Sequence, residues 1–152
     1  MEENFSSLFF GRYETALDEK ARLNLPARLR RMLPDGPEST LMLTPGSDGC
    51  IVIFTISAYS NFWKKISDNQ EFSMEKVKWL QRVLGEKTVS IKLDKQGRFV
   101  IPQHLLHHAS VKTDLLIIGV QDRIEIWNAK VYEEYLDSHD ISFDTLSKEL
   151  GI

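Results

Sequence analysis

The chain contains one ten-residue phrase twice. Residues 17–26 read LDEKARLNLP and residues 93–102 read LDKQGRFVIP, so an aspartate, an arginine and a proline keep their spacing at a shift of 76 positions. Such an internal repeat constrains the fold more strongly than composition, because each copy is expected to form the same supersecondary unit. One difference concerns the backbone, since Ala21 stands where the second copy has Gly97.

The sequence around each phrase predicts one common order of elements. Apolar and polar residues alternate in residues 13–17 and again in residues 89–93, which indicates half-buried strands. Each phrase then runs through a polar loop into a second short strand. Its proline opens a short helix, where the missing N–H costs nothing. Two apolar runs joined by a hairpin-like turn follow in both copies, so each copy reads as a β-β-α-β-β unit.

The two copies are expected to share one hydrophobic core. A unit of about 40 residues is near the lower limit for folding alone, and two copies can complete each other. The predicted organisation is a first repeat at residues 9–56, a helical connector at 57–86, a second repeat at 87–129, and an acidic C-terminal helix and tail at 130–152. The predicted fold class is α+β, with one core shared by the two repeats and additional helices.

The connector is expected to contain two helices. Ser73 is a suitable N-cap for the second of them, and Gly85 is predicted to end it.

Composition is typical of a globular protein. A chain of 152 residues with 42% hydrophobic content can bury a sizeable core without disulfides. Its single cysteine excludes an intrachain disulfide. No apolar run approaches the ~20 residues of a membrane span, and residues 1–10 lack the basic-then-apolar pattern of an export signal. We therefore expect a cytoplasmic protein.

Charge is distributed unevenly along the chain. The formal net charge is -3, which alone argues weakly against nucleic acid. However, residues 11–31 hold six basic and three acidic side chains, whereas residues 121–150 hold three basic and eight acidic ones. The acidic tail hides a basic N-terminal segment, and a clustered positive charge is typical of nucleic-acid binding.

The repeated loop supports two interpretations that are compatible with each other. In the first, Asp18 and Asp94 hold their turns by accepting backbone N–H groups. In the second, the loops project cations towards an anion such as DNA, because arginine reads guanine in a bidentate manner and lysine neutralises phosphate. The side chains predicted for that contact are Lys20 and Arg22 in the first loop, and Lys95 and Arg98 in the second.

Catalytic and metal chemistry have weaker support in the sequence. Asp18 and Asp94 could form a proton-sharing dyad, but the neighbouring arginines favour ionised carboxylates. His104 and His108 share a helical face, yet no HExxH pattern accompanies them. Cys50 lies in an apolar run, as a buried small residue would. The sequence contains no phosphate-binding or nucleotide-binding glycine motif, so we expect no enzyme activity, no metal and no cofactor.

Four stretches carry a resemblance to a known family. They read FFGRYETALDEKARLNLPARLR, LTPGSDGCIVIF, LQRVLGEKTVSIKLDKQGRFVIP and IIGVQDRIEIW. Their order, their spacing and the doubled D-x-x-x-R motif resemble the MraZ family of bacterial transcriptional regulators over about residues 9–135.

The resemblance implies an AbrB/SpoVT-like swapped-hairpin fold with a pseudo-duplicated β-barrel core. It also implies a ring-shaped homo-oligomer. It further implies binding to G-rich direct repeats in double-stranded DNA upstream of the division and cell-wall gene cluster. The protein would then be nucleoid-associated, with no membrane contact and no small-molecule substrate.

The resemblance assigns the main DNA contact to the first loop, at Lys20 and Arg22. The matching loop, at Lys95 and Arg98, is implied as a lesser contact. Two departures from the family pattern stand out. Ala21 replaces the usual glycine, and the base of the N-terminal Phe-Arg-Gly pattern is displaced to Arg12. Arg12 is included as a DNA contact, although its strand position equally allows a structural role.

A second function class stays open at this point. The apolar connector helices around Trp63 and Trp79 suit a protein-interaction module built on the same fold. Binding to DNA, or binding to a stoichiometric protein partner without DNA, would separate the two interpretations.

Overall fold

A computed structural model describes residues 8–152. Residues 1–7, on which the expectation of a missing export signal partly rests, lie outside the described residues. The strands are β1 (Phe9–Ala16), β2 (Arg22–Asn24), β3 (Thr40–Pro45), β4 (Ile51–Thr55), β5 (Val89–Lys92), β6 (Arg98–Val100), β7 (Asp114–Gln121) and β8 (Ile124–Trp127). The helices are α1 (Ala27–Arg30), α2 (Ile56–Ser67), α3 (Met74–Lys87), α4 (Gln103–His108), α5 (Ala129–Ser138) and α6 (Phe143–Leu150).

The strands of the two repeats interleave. Six strands form an antiparallel sheet in the order β1-β7-β8-β4-β3-β5, and β2 pairs antiparallel with β6 in a separate two-stranded ribbon. β1 of the first repeat pairs with β7 of the second, and β5 of the second pairs with β3 of the first. Exchanging the two repeats therefore maps one set of pairings onto the other.

The sheet is open across the part of the chain that the structure describes. β1 and β5 are its two edges and do not pair with each other. The α+β class, with an antiparallel sheet and six helices, agrees with the prediction. The closed barrel that the resemblance implies is not found in residues 8–152.

Two hydrophobic layers cover the sheet. On one face, Leu23 and Phe99 of the ribbon are buried in the larger core together with Leu29 of α1 and Leu105 of α4. On the other face, a smaller core around Phe54 packs against side chains of α2 and α5. All five residues of β4 are buried, because the strand lies between both layers. The ribbon is thus fixed to the sheet through its apolar face only.

Local signals set most helix ends. Ser73 caps α3, because its Oγ accepts the N–H of Lys76 at 3.2 Å. The prediction that Gly85 ends this helix is wrong, since α3 continues to Lys87. The hydroxyl of Thr88 closes the helix by donating to the carbonyl of Leu84 at 2.6 Å.

Among the helices of residues 8–152, none is long and apolar enough to cross a membrane.

Candidate nucleic-acid interface

The first repeated loop is held by the carboxylate of Asp18. Its Oδ1 accepts the backbone N–H groups of Lys20 at 2.8 Å and Arg22 at 2.9 Å, and its Oδ2 accepts Nε of Arg22 at 2.7 Å. The backbone N–H of Arg22 is the largest cause that lowers the pKa of Asp18 to about 2, while partial desolvation opposes it. The loop therefore presents an arginine whose direction is fixed by an ionised neighbour.

The second loop repeats this geometry atom for atom. Oδ1 of Asp94 accepts the backbone N–H groups of Gln96 and Arg98, both at 2.9 Å, and Oδ2 accepts Nε of Arg98 at 2.9 Å. The N–H of Arg98 is again the main cause that lowers the pKa of the aspartate. A proton-sharing dyad would instead raise the pKa of one carboxyl, so this geometry gives no support to catalysis by Asp18 and Asp94.

Ala21 adopts the same left-handed backbone as the glycine of the second copy. Its φ is 59°, compared with 81° at Gly97. In both loops the N–H of this residue donates to the aspartate carbonyl at 3.0 Å. An alanine in this conformation costs about 1–2 kcal/mol. The first loop thus keeps the turn and accepts backbone strain.

The ribbon brings the two loop arginines onto one solvent-facing side, where each arginine side chain is 28% exposed. Its register places Arg22 opposite Val100 and Arg98 opposite Asn24. These four side chains point away from Leu23 and Phe99, because successive residues of a strand face opposite sides. Arg22 and Arg98 are diagonal neighbours, whose Cα atoms lie about 7–8 Å apart in an antiparallel pair. We call this surface of Arg22, Asn24, Arg98 and Val100 the ribbon face.

Each loop is supported by the helix of the other repeat. Arg30 of α1 donates from Nη1 to the carbonyl of Gln96 at 3.0 Å and lies against Gly97, where an added Cβ would collide with its guanidinium. At the matching place in the other repeat, Ala21 and Leu106 of α4 line one small hollow. The ladder also continues across the repeats, since the N–H of Leu25 donates to the carbonyl of Gly97 at 2.9 Å.

The remaining predicted contacts lie in different surroundings. The side chains of Lys20 and Lys95 are exposed at the tips of their loops. Arg12 belongs to β1, where it pairs with Glu133 of α5 at 3.3 Å and with Glu14 at 3.6 Å, and it lies over the ring of Tyr132. These contacts favour the structural role for Arg12. The structure therefore brings Arg22 and Arg98 together and places Arg12 on the side of the sheet that faces α5.

The histidines and the cysteine have structural partners. Nε2 of His104 is 2.9 Å from the carbonyl of Lys87, and Nε2 of His108 is 3.0 Å from that of Gly46. Burial raises the pKa of Cys50 to about 12, so its thiol is a poor nucleophile. Within residues 8–152, no group of three potential ligands could hold a metal ion.

Three residues of this region were not singled out by the sequence. Asn24 and Val100 share the ribbon face, and strand parity alone would have placed both on it. Arg30 lies against the second loop, although it follows the first loop in the chain. No local sequence signal reveals that exchange, because it depends on which repeat each helix packs against.

Comparison with known proteins agrees with the repeated loops. A family model described as "MraZ protein, putative antitoxin-like" matches residues 8–81 and 85–150. A protein of Treponema denticola named "Transcriptional regulator MraZ" is 37% identical over 145 residues, covering 93% of this chain and 96% of that protein. Its namesake in Caldanaerobacter subterraneus is 33% identical over 143 residues, covering 94% and 96%. The chain therefore belongs to the MraZ family.

Proposed function

We propose that this protein is a sequence-specific DNA-binding transcriptional regulator whose ribbon face reads base edges in the major groove. The observation that carries the proposal is the pairing of β2 with β6, which places Arg22 and Arg98 side by side on an exposed two-stranded ribbon. The major groove of DNA admits such a ribbon. The relatives named as transcriptional regulators support the same class of function.

The geometry of the arginines suits guanine recognition. In each loop the aspartate engages Nε of the arginine. The two Nη groups of Arg22 donate no hydrogen bond within residues 8–152, because only Nε is engaged by Asp18. Two such donors match O6 and N7 of guanine. Because the aspartate already orients the guanidinium, less side-chain entropy is lost on binding.

The proposed operator consists of G-rich direct repeats upstream of the division and cell-wall gene cluster. One ribbon face is small, so a single protomer would bind weakly. Several protomers in a homo-oligomer could bind several repeats at once, and linked contacts gain from effective concentration. We propose the ring-shaped oligomer of the resemblance for this reason, together with its AbrB/SpoVT-like pseudo-duplicated architecture.

Exposed apolar side chains support self-association. Trp79 of α3 is 64% exposed and Phe143 of α6 is 87% exposed. Such side chains are enriched at subunit contacts. These residues also fit the alternative of a separate protein partner. Light scattering of the purified chain would distinguish a homo-oligomer from a monomer that recruits another protein.

The proposed function is tested by DNA binding at several salt concentrations. A duplex carrying the native upstream repeats is compared with a shuffled duplex, using the full chain, Arg22→Ala and Arg22→Lys. We expect Arg22→Ala to weaken binding to the repeats. Arg22→Lys should lose much of the preference for the repeats, by a factor that corresponds to about 1–3 kcal/mol for each guanine contact.

Lys130→Ala is the matched control, because it removes one exposed positive charge from α5. Unchanged affinity and salt dependence in Arg22→Ala would show that the ribbon face is not the DNA contact. A map of bound sites across the genome would then identify the operator and the regulated genes.

A further inference from the structure

The two loops differ in the charge of the hollow beside each of them. The hollow at the second loop has a volume of about 550 Å³, and its lining includes the cations Arg30, Arg31 and Lys95 with the single carboxylate of Asp94. That carboxylate is already neutralised by Arg98 at 2.9 Å. The second-loop hollow is therefore a concave, positively charged surface.

The hollow at the first loop has the opposite balance. Its volume is about 580 Å³, and its lining includes the carboxylates of Asp18 and Glu19 with Lys112 as the only cation. Arg22 neutralises Asp18, but Glu19 has no cationic partner within residues 8–152. The first-loop hollow is therefore a poor site for an anion.

Two changes in the repeat produce this contrast. The residue after the repeated aspartate is Glu19 in the first loop and Lys95 in the second. In addition, the helix beside the second loop is α1, which carries Arg30 and is followed directly by Arg31. The helix beside the first loop is α4, which carries Leu106 and His107 at the corresponding positions. The positive charges of the basic N-terminal segment therefore lie in two places. Its loop forms one end of the ribbon, whereas its helix α1 packs beside the loop at the other end.

We propose that the second-loop hollow binds a backbone phosphate of DNA through Arg31 and Lys95, next to the bases read by the ribbon face. The proposal rests on the proposed DNA-binding function. Arg30 is already tied to the carbonyl of Gln96 and shapes the wall of the hollow. Arg31 and Lys95 are exposed and make no side-chain hydrogen bond or ion pair within the described chain, so their charges are available to an external anion.

The test compares two double variants with the same loss of charge. Arg31→Ala/Lys95→Ala removes two cations from the second-loop hollow, and Lys130→Ala/Lys148→Ala removes two from the C-terminal helices. Affinity for the repeat duplex and for an unrelated duplex of equal length is measured at several salt concentrations. Equal midpoints of thermal unfolding would show that both variants are folded.

We expect Arg31→Ala/Lys95→Ala to lower the magnitude of the slope of log affinity against log salt by about 0.9 for each bound protomer, since the hollow neutralises one phosphate and each neutralised phosphate contributes about 0.9. Affinity for both duplexes should fall by the same factor, because a phosphate contact carries no sequence information. The control should keep the wild-type slope.

The possible failures are distinguishable. A wild-type slope in Arg31→Ala/Lys95→Ala, while Arg22→Ala still loses the repeats, would overturn the phosphate site and leave the proposed function standing. A wild-type protein that binds the repeats no better than the unrelated duplex would overturn the proposed function instead, and the phosphate site with it.

Discussion

The two D-x-x-x-R loops have one internal structure and two different environments. In both loops the aspartate accepts two backbone N–H groups and the Nε of the arginine, with distances between 2.7 and 2.9 Å. The hollow beside the first loop is lined by Leu106 and the loop's own carboxylates, whereas the hollow beside the second is lined by Arg30, Arg31 and the loop's own Lys95.

This difference shows that the turn and its charge have separate origins. The turn is local, because the aspartate binds groups within four residues of itself. The charge beside each loop is only partly local, because each loop carries Glu19 or Lys95 itself and also receives the helix of the other repeat. The contrast between Ala21 and Gly97 follows the same division. Both have a positive φ, but only Gly97 lies beneath an arginine, whose guanidinium a Cβ would displace.

The largest effect is expected for Gly97→Ala. The added methyl group would take on the left-handed backbone cost of about 1–2 kcal/mol. It would also push aside the guanidinium of Arg30, which would lose its hydrogen bond to the carbonyl of Gln96 at a cost of about 0.5–1.5 kcal/mol. We expect a loss of about 1.5–3.5 kcal/mol in the free energy of unfolding, measured by denaturant titration.

Arg30→Leu provides the matched rescue for this variant. The double variant would place an alanine in the second loop beside a leucine of α1, as Ala21 of the first loop lies beside Leu106 of α4. We expect Gly97→Ala to cost about 0.5–1.5 kcal/mol less in the Arg30→Leu background, because the hydrogen bond from Arg30 to the carbonyl of Gln96 is already absent there. Additive costs would show that Arg30 does not restrict the second loop.

Acid should weaken both loops. The folded pKa of Asp18 is about 2, below its ordinary value of about 3.9. Its ionised form therefore stabilises the fold above about pH 4, and this contribution is lost as the pH falls towards 2. We expect the stability difference between wild type and Asp18→Asn to be present at pH 7, to shrink as the pH falls towards 2 and to vanish below pH 2.

The stability difference between wild type and Asp94→Asn should likewise shrink as the pH falls, since the pKa of Asp94 is lowered by the same kind of contacts. Thermal unfolding at a series of pH values measures both variants. A difference between wild type and either variant that did not change with pH would contradict the role of the ionised carboxylates.

The smallest effect is expected for Ala21→Gly. Relief of the left-handed strain is partly offset by the greater freedom of glycine in the unfolded chain. We expect a gain of at most about 1 kcal/mol in the free energy of unfolding and unchanged DNA binding. A clear loss of stability would mean that the methyl group of Ala21 packs more favourably against Leu106 than the strain costs.

The sequence predicts local structure here better than it predicts neighbours. The β-β-α-β-β order of both repeats and the Ser73 cap follow from alternation, proline and cap residues close in the chain. The prediction for Gly85 was wrong because the closing hydrogen bond of α3 comes from Thr88, three residues later. Alternation also identifies the buried parity of β2 and β6. It does not identify their partner strands. Only the structure therefore reveals the ribbon face and the packing of α1 beside the second loop.

Val100 offers the most direct test of one shared ribbon face. It lies opposite Arg22, is 52% exposed, and belongs to neither loop. We expect Val100→Glu to reduce affinity for the repeat duplex at least as much as Arg22→Ala, because a carboxylate would face DNA between the two arginines. Val100→Thr should bind like wild type. If folded Val100→Glu bound the repeats with wild-type affinity, the ribbon face would not be the surface that contacts DNA.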